Sequence, residues 1–422
     1  MRPALPRRWL SLIPVWAAAA VIAVAASQAP VPAPAVARPQ GRATAYFPPA
    51  GTWEKRDPAS VGMDKAALDE AVAYSIANEN PNTKDLAADI PNSFRNEAPY
   101  NNPLGPTEPR GAAAGVIIRQ GYVVAEWGDT GRADMTFSVT KSFLSTVVGV
   151  AYDRKLIKNV HDRVAPYMPK DVDLFTSEHN APITWDHLLR QTSDWYGVLF
   201  DKPDWADRPM ENGKTPEDWP NRPRRAPGTF YKYNDVRVNV LSLATLYVMK
   251  EPLPAVLKRQ VMDPIGASNT WHWEPYKNAT VMVDGKPMPS VPGGGHHGGG
   301  MFINAHDMAR FGYLFLNNGA WNGKQLISRG WIAMARTPGT AENAGSKVYG
   351  FMNWFLNVPG PPRASGQPGT KQYPAAPDSA VSFNGNGQNL IYMDWENDIV
   401  AVVRWIQRPA GFFERVVKAV KK

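Results

Sequence analysis

The chain has 422 residues, 44% of them hydrophobic and 20% charged, so it is long enough for one large domain or for two or three smaller ones and is not disordered throughout. It carries a net charge of +8, but it has no basic run with interleaved aromatic residues, which disfavours nucleic-acid binding. It contains no cysteine, which excludes disulfides, thiolate metal sites and a cysteine nucleophile.

The first 45 residues have the composition of a targeting segment and linker. Residues 1–8 include three arginines, and residues 9–27 are apolar or small, which is the order of a secretory signal. This apolar stretch of about 19 residues is also near the lower limit of a membrane span, so an uncleaved anchor is the alternative. A Pro/Ala-rich linker follows, and the folded body is expected to begin near Tyr46. We therefore expect a periplasmic or secreted protein, with a membrane-tethered form as the alternative.

The strand signals nearest the start of the chain form one hairpin. Residues 64–78 have the apolar spacing of a helix, and residues 79–110 are rich in Pro and Asn and predict a long ordered loop. Two apolar segments, 112–118 and 122–126, flank Arg-Gln-Gly and predict a hairpin. Apolar residues at helical spacing then predict a helix over 139–152.

The middle of the chain alternates short helical patterns with loops rich in Pro, Gly and Trp. A helix is predicted to begin after Thr184, and others over 239–247 and 253–262. No strand signal of any length is found in residues 155–300. The glycine-rich residues 291–300 predict a flexible hinge.

The last part of the chain returns to strands. A helix is predicted over 304–317, followed by strands over 390–394 and 399–406 that are joined by a turn. Residues 412–422 predict an amphipathic terminal helix.

This order of elements predicts one domain over residues 46–422 that is built from both ends of the chain. The sheet part is expected to come from about 46–150 and 301–422, with an all-α unit inserted at about 151–300. A run of three arginines, at positions 222, 224 and 225, lies among prolines there and is interpreted as a solvated loop.

A serine and a lysine at the start of a predicted helix are the first candidates for chemistry. Ser138 and Lys141 stand three positions apart, so they share one helical face and the ammonium group can reach the hydroxyl. A serine becomes a good nucleophile when a base takes its proton, and a lysine of lowered pKa or a tyrosinate can do so. The same spacing also arises by chance, with Ser138 capping the helix and Lys141 on the surface.

Two further segments suit a substrate cleft. Tyr233 follows a tight turn in the string PGTFYKYND, just before Asp235, so its hydroxyl points into a cleft or its ring packs under the turn. Residues 384–389, NGNGQN, lead into a strand and allow the backbone to approach a substrate, with a bulged hairpin turn as the alternative. The candidate contacts in this segment are Asn386, Gly387, Gln388 and Asn389.

Other constellations carry weaker signals. No G-x-S-x-G string is present, which disfavours an α/β-hydrolase. His296 and His297 lie between glycines without an H-E-x-x-H string, so no metal site is predicted, and His296 is retained as a cleft residue. Trp195 and Tyr196 either line a cleft or pack their own loop.

In this order, the motifs resemble the serine β-lactamase and penicillin-recognising superfamily. The resemblance is to its β-lactamase-related branch of class C enzymes, D-alanyl-D-alanine carboxypeptidases, family VIII esterases and 6-aminohexanoate-dimer hydrolases. It covers roughly residues 111–410 and rests on the strings FSVTKSFLSTVVGVA, APGTFYKYND, GGGMFINAHDMARFGYLFLNNG and NLIYMDWENDIVAVVRW. The resemblance implies an α/β fold of the α+β type: a β-lactamase/transpeptidase-like antiparallel sheet flanked by helices, with the cleft between the sheet and the all-α unit.

The resemblance also implies a role for each matching residue. Ser138 is expected to be the acylated nucleophile and Lys141 its proton partner. Tyr233 is expected to help deprotonate Ser138 and to protonate the leaving group. The backbone N–H groups of Ser138 and of a residue near Gln388 or Asn389 are expected to form the oxyanion hole. No metal or organic cofactor is expected.

The sequence departs from the family pattern at two motifs. The second motif usually reads Y-x-N, and Asp235 stands in its third place. The third motif usually reads K-T-G or H-T-G, and no Lys or His stands between positions 374 and 389. The missing cation disfavours substrates that carry a carboxylate, such as β-lactams and D-Ala peptides, and favours neutral esters or amides.

The sequence therefore predicts an exported serine hydrolase that cleaves a small-molecule ester or amide through an acyl-serine intermediate. The alternatives are a β-lactamase or D-alanyl-D-alanine carboxypeptidase, and a non-catalytic relative that binds a peptide or cell-wall fragment. The complete set of Ser138, Lys141 and Tyr233 favours an enzyme. The sequence predicts no oligomeric state.

Overall fold

The computed structural model describes residues 45–209, 215, 217–338, 348–356, 358 and 369–421. Within these residues the helices are α1 (Lys65–Ala77), α2 (Leu86–Ser93), α3 (Thr140–Asp153), α4 (Trp185–Leu189), α5 (Asp235–Met249), α6 (Leu253–Leu257), α7 (Ala305–Leu316), α8 (Arg329–Ala335) and α9 (Pro409–Lys418). The strands are β1 (Ala114–Arg119), β2 (Tyr122–Trp127), β3 (Asp134–Met135), β4 (Val198–Leu199), β5 (Lys202–Pro203), β6 (His272–Glu274), β7 (Thr280–Val283), β8 (Lys286–Pro289), β9 (Gly300–Ile303), β10 (Ala320–Trp321), β11 (Lys324–Gln325), β12 (Tyr349–Gly350), β13 (Asn353–Phe355), β14 (Val381–Gly385), β15 (Asn389–Asp394) and β16 (Ile399–Arg404).

Strands from both ends of the chain form one antiparallel sheet, as predicted. Its seven strands run in the order β12-β13-β14-β15-β16-β1-β2. Strand β16 pairs with β15 on one side and with β1 on the other, so that Val403 lies opposite both Leu390 and Gly115. Every residue of β1, β15 and β16 is buried, because helices cover both faces of the sheet.

Two helical layers sandwich the sheet and complete its two hydrophobic cores. Helices α1 and α9 pack together on one face, over Ile117 and Tyr392. Helix α7 packs on the other face, and α3 and α5 lie behind it. The rings of Phe143 in α3 and Phe311 in α7 stack with centroids 3.9 Å apart, which joins the sheet layer to the helical part.

The helices and strands with long apolar patterns match their predictions. The secondary structure of two other segments differs from the prediction. The loop predicted over 79–110 contains α2, whose first turn is capped by the carboxylate of Asp85. The region 155–300 is not all-α: it contains β4 to β8, and β6 pairs with β9 in a small second sheet. These strands have two to four residues each, too few for an alternating pattern to be visible in the sequence.

The glycine-rich residues 291–300 are packed rather than hinge-like. All ten residues are buried. A Cβ at position 294 would lie 2.3 Å from Asp235 Oδ1 and 2.5 Å from Lys141 Nζ. Gly294 therefore lets the backbone pass directly against the two charged side chains, which a larger residue would displace.

Arg222 is buried, so the prediction that it lies in a solvated loop is wrong. Its guanidinium group donates to Asp194 at 2.9 Å and to Asp204 at 2.8 Å, and all three side chains are buried. Arg237 of α5 binds the same two carboxylates at 2.8 and 3.0 Å. These ion pairs join the segments around Asp194, Asp204 and Arg222 to the first turn of α5, where Arg237 stands two residues beyond Asp235.

The predicted signal or anchor lies outside the described residues. Among those described, no single helix is long and apolar enough to span a membrane. One bent pair, Asp235–Met249 with Leu253–Met262 at 73°, meets the length and composition criteria together.

Candidate active site

Ser138 and Lys141 meet at the start of α3, where their spacing places them. A short 3₁₀ turn, Phe137–Val139, runs directly into the helix. Lys141 Nζ donates to Ser138 Oγ at 2.7 Å. Ser138 is half-buried, whereas the Lys141 side chain is buried beneath it. The serine hydroxyl therefore reaches the cleft while the ammonium group stays inside the protein.

Asp235 is the buried counter-ion of Lys141. Its Oδ1 lies 2.5 Å from Lys141 Nζ, and its Oδ2 accepts from Arg208 Nη1 at 3.1 Å. Burial alone would lower the pKa of Lys141, but the charges of Asp235 and Tyr233 outweigh it and raise that pKa. Burial alone would raise the pKa of Asp235, but Lys141 and Arg208 hold it far below its ordinary value. Both members of the pair are therefore charged at neutral pH.

Asp207, His296 and Glu97 extend this network. The sequence analysis identified His296 as a cleft residue, but it missed Arg208, Asp207 and Glu97. Arg208 also pairs with Asp207, and its Nη2 lies 3.3 Å from His296 Nδ1. Because a guanidinium group only donates, His296 Nδ1 accepts there and its Nε2–H points to Glu97 Oε2, 2.7 Å away. Glu97 is 199 positions from His296 in the chain, so no local pattern connects them.

Tyr233 lies between the two cations of this network. Lys141 Nζ and Arg208 Cζ each lie 4.9 Å from its ring centroid. The ring packs edge-on against Tyr349, with centroids 5.5 Å apart, and at a tilt of 30° against Trp354, with centroids 5.7 Å apart. Tyr233 is half-buried and lines the same cleft as Ser138. The structure thus brings Ser138, Lys141 and Tyr233 together.

The glycine-rich entry to β15 passes beside Ser138. A Cβ at position 385 would lie 2.1 Å from Thr136 O and 3.2 Å from Ser138 N, so a residue without a side chain is required there. Asn386 and Gln388 line the cleft. Asn389 is fully buried and turned inward, where it donates to Asn386 O and accepts from Arg404. Gly387 packs against the ring of Trp405 and is not among the residues that line the cleft.

The cleft around Ser138 has a volume of about 400 Å³. Its described lining consists of Phe94, Phe137, Ser138, Arg208, Tyr233, His296, Trp354, Gln372, Asn384, Gly385, Asn386 and Gln388. Trp195 and Tyr196 are not part of this lining. The buried indole of Trp195 donates to Leu174 O at 2.7 Å, and the Tyr196 hydroxyl donates to Pro220 O at 3.2 Å, so both residues pack their own loop.

The described residues include two groups with the side chains of a metal site. The first is Glu97, His296 and His297, and the second is Asp207, Asp235 and His296. Burial and the neighbouring His296 hold the pKa of His297 well below its ordinary value. Lys141 and Arg208 already supply positive charge to Asp207 and Asp235. The expectation that no metal is needed stays a prediction.

The first test of this geometry is the stability of Asp235→Asn. The substitution leaves a buried ammonium group without its nearest carboxylate, so the free energy of unfolding at pH 7 is expected to fall by about 3–5 kcal/mol. In the wild type, the lowered pKa of Asp235 and the raised pKa of Lys141 keep the pair's contribution between about pH 4 and about pH 10. In the variant, the pKa of Lys141 in the folded protein is expected to fall. The destabilisation caused by its buried charge then decreases as the pH rises toward about 10.

Urea unfolding of both proteins from pH 7 to pH 10 measures this difference. The difference in the free energy of unfolding between wild type and variant is expected to be largest near neutrality and to decrease at alkaline pH. Asp69→Asn is the matched control, because Asp69 pairs with Lys65 at 2.6 Å on an exposed face, and it is expected to change stability little. A loss below about 1 kcal/mol for Asp235→Asn, or a difference that increases with pH, would contradict the ion-pair assignment.

Comparisons with known proteins identify the fold and the family. The family model described as Beta-lactamase matches residues 105–416. The crystal structure of a candidate beta-lactamase from Bacteroides dorei DSM 17855 has a TM-score of 0.55 at 17% identity, covering 85% of this chain and 100% of that one. EstCE1, a hydrolase with promiscuous acyltransferase activity, has a TM-score of 0.51 at 16% identity, covering 85% of this chain and 99% of that one. At these identities the two structures show the fold. With three quarters of its length matched by the family model, the chain belongs to the beta-lactamase family of hydrolases, in the serine β-lactamase-related superfamily.

Proposed function

We propose that this protein is a serine hydrolase that cleaves a small-molecule ester or amide through an acyl group on Ser138. The observation that carries the proposal is the 2.7 Å contact between Lys141 Nζ and Ser138 Oγ, in a cleft that also contains Tyr233. The fold shared with EstCE1 supports it. A protein that only binds its ligand has no need of a serine placed against a buried cation in this way, which disfavours a non-catalytic relative.

The charge state of Lys141 divides the proton transfers between two residues. As a buried ammonium group, Lys141 donates to Ser138 and does not take its proton. Tyr233, acting as a phenolate, is the group that we propose as the base, because it lines the cleft with Ser138 and lies beside both Lys141 and Arg208. Ser138 Oγ attacks the carbonyl carbon and its proton passes to Tyr233. The bond to the leaving group then breaks, and the leaving group takes that proton.

Deacylation follows the same path with water as the nucleophile. Water attacks the acyl carbonyl and its proton passes to Tyr233. The bond to Ser138 Oγ then breaks, Tyr233 gives that proton to Ser138, and the acid is released. An oxyanion develops during acylation and again during deacylation, and each time it needs two N–H donors. We propose the backbone N–H of Ser138 and one from the 386–388 turn, because the strand end passes so close that a Cβ at Gly385 would lie 3.2 Å from Ser138 N.

The cleft favours neutral substrates over β-lactams and D-Ala peptides. Arg208, the arginine of the described lining, is already paired with Asp207 and Asp235. No Lys or His stands between positions 374 and 389, so the end of β14 that reaches the cleft at Asn384 and Gly385 carries no cation. A substrate carboxylate would therefore find no uncompensated positive charge among the described lining residues.

We also propose that the protein is exported, on the strength of the charged and then apolar residues 1–27. N-terminal mass analysis of protein from the native envelope tests this. A mature start between positions 28 and 42 is expected. Intact Met1 with membrane retention would support the anchor instead, and intact Met1 in the cytoplasm would contradict export.

Labelling by a fluorophosphonate probe tests the nucleophile. The wild type is expected to form one covalent adduct, on the peptide that contains Ser138, because this hydroxyl accepts from Lys141 Nζ and lines the same cleft as the proposed base, Tyr233. Ser138→Ala is expected to lose the adduct and the burst of product from an activated ester. Labelling is expected to persist after dialysis against EDTA, because the proposed proton carriers are side chains.

Ser145→Ala is the matched control, since Ser145 lies in the same helix, is buried and is outside the cleft lining. It is expected to keep the adduct. Wild-type ester turnover by folded Ser138→Ala would rule out the proposed mechanism. Labelling that vanishes with EDTA and returns with zinc would point to His296 and His297 instead.

Kinetics of Lys141 and Tyr233 variants test whether the two residues share one proton path. Lys141→Ala and Tyr233→Phe are each expected to lower kcat by ~10²–10⁴. The double variant is expected to lose little more than the worse single one, because members of one catalytic unit are far from additive. Losses that multiply independently would show that the two residues act in separate steps.

A further inference from the structure

We propose that the cleft binds esters or amides that carry an uncharged aromatic group beside the scissile bond. The proposal rests on the proposed hydrolase function and adds a substrate class to it. It follows from two independent properties of the cleft: the aromatic rings on its walls and the way in which its charges are paired.

The aromatic walls come from two separate packing groups. Phe94 and Phe137 belong to one small core with Met135 and Trp405. Tyr233 and Trp354 belong to another group, in which Trp354 packs edge-on against Tyr349 with centroids 4.9 Å apart. Both groups reach the cleft of Ser138. A ring bound there would therefore meet aromatic faces or edges contributed by distant parts of the chain.

Three of these rings keep part of their surface open to the cleft. Phe94, Tyr233 and Trp354 are each half-buried, although their neighbours hold them in place. Phe94 lies on His296 with centroids 3.8 Å apart, and Trp354 lies on Tyr233. Rings fixed in this way lose little conformational freedom on binding, and they attract another ring more than a saturated group of equal size.

Both cations that border the cleft are paired with carboxylates of one network, and the third carboxylate, Glu97, accepts from His296. Lys141 and Arg208 are the cations, and Glu97, Asp207 and Asp235 are the carboxylates of the network. The polar groups of the remaining lining are the neutral amides of Gln372, Asn384, Asn386 and Gln388. A carboxylate substituent would lose its hydration without gaining a free cation, whereas a neutral ring loses only apolar hydration.

Matched esters test the proposal, with release of acid followed by pH-stat titration. For the acyl side, ethyl phenylacetate is compared with ethyl cyclohexylacetate and with ethyl 4-carboxyphenylacetate. For the alcohol side, benzyl acetate is compared with cyclohexylmethyl acetate. On the side that faces the rings, kcat/KM is expected to be roughly 2- to 10-fold higher for the phenyl ester than for the cyclohexyl ester. The carboxylate is expected to lower kcat/KM by at least about tenfold.

Two variants connect the preference to the walls. Phe94→Leu and Trp354→Leu keep an apolar side chain but remove the ring, so each is expected to move the phenyl-to-cyclohexyl ratio toward one. Trp53→Leu is the control, because Trp53 is also half-buried but lies outside this cleft, where its indole donates to Gly121 O at 2.7 Å. It is expected to keep the wild-type ratio.

The outcomes separate this proposal from the hydrolase proposal. Ratios of one or less on both sides, with the Ser138 adduct still formed, would overturn the aromatic preference alone. Faster turnover of the carboxylate ester would overturn the requirement for an uncharged group and would indicate Arg208 as its partner. No ester turnover and no Ser138 adduct would contradict the proposed function itself.

Discussion

The buried ion pair between Lys141 and Asp235 holds together the parts of the chain that build the cleft. It joins the first turn of α3 to the first residue of α5, 94 positions later, and Gly294 lets a third segment pass against both side chains. Arg208 and Asp207 surround the pair with further charges. Because an unpaired buried charge is costly, none of these segments can move away without destabilising the others.

In the proposed mechanism, the same pair determines which residue accepts the proton of Ser138. A lysine held by a carboxylate at 2.5 Å remains an ammonium group, so it orients and polarises Ser138, and a second residue has to accept the proton. Tyr233 is the neighbour with the required hydroxyl and with two cations beside its ring. An asparagine at position 235 would not raise the pKa of Lys141 in this way. The aspartate therefore affects which residue accepts the serine proton as well as the stability of the fold.

The sequence predicted those features that depend on local patterns. The β1–β2 hairpin, α3 and α7 follow from apolar spacing, and the meeting of Ser138 with Lys141 follows from helical geometry. Glu97, Arg208 and Trp354 come together only through long-range packing, so no motif in a single sequence marks them. Arg222 and the glycines at 291–300 were misjudged for a related reason. Composition predicts exposure or flexibility, whereas burial is decided by partners far along the chain.

The charge of Lys141 is therefore the quantity to measure directly. Lysine labelled with ¹³C at Cε, with the Lys141 signal assigned by its loss in Lys141→Arg, reports protonation of that side chain by NMR as the pH is raised. Lys141 is expected to remain charged up to about pH 10, because Asp235 and Tyr233 raise its pKa above the ordinary lysine value. A titration midpoint near or below neutrality would contradict it and would return the role of resting base to Lys141.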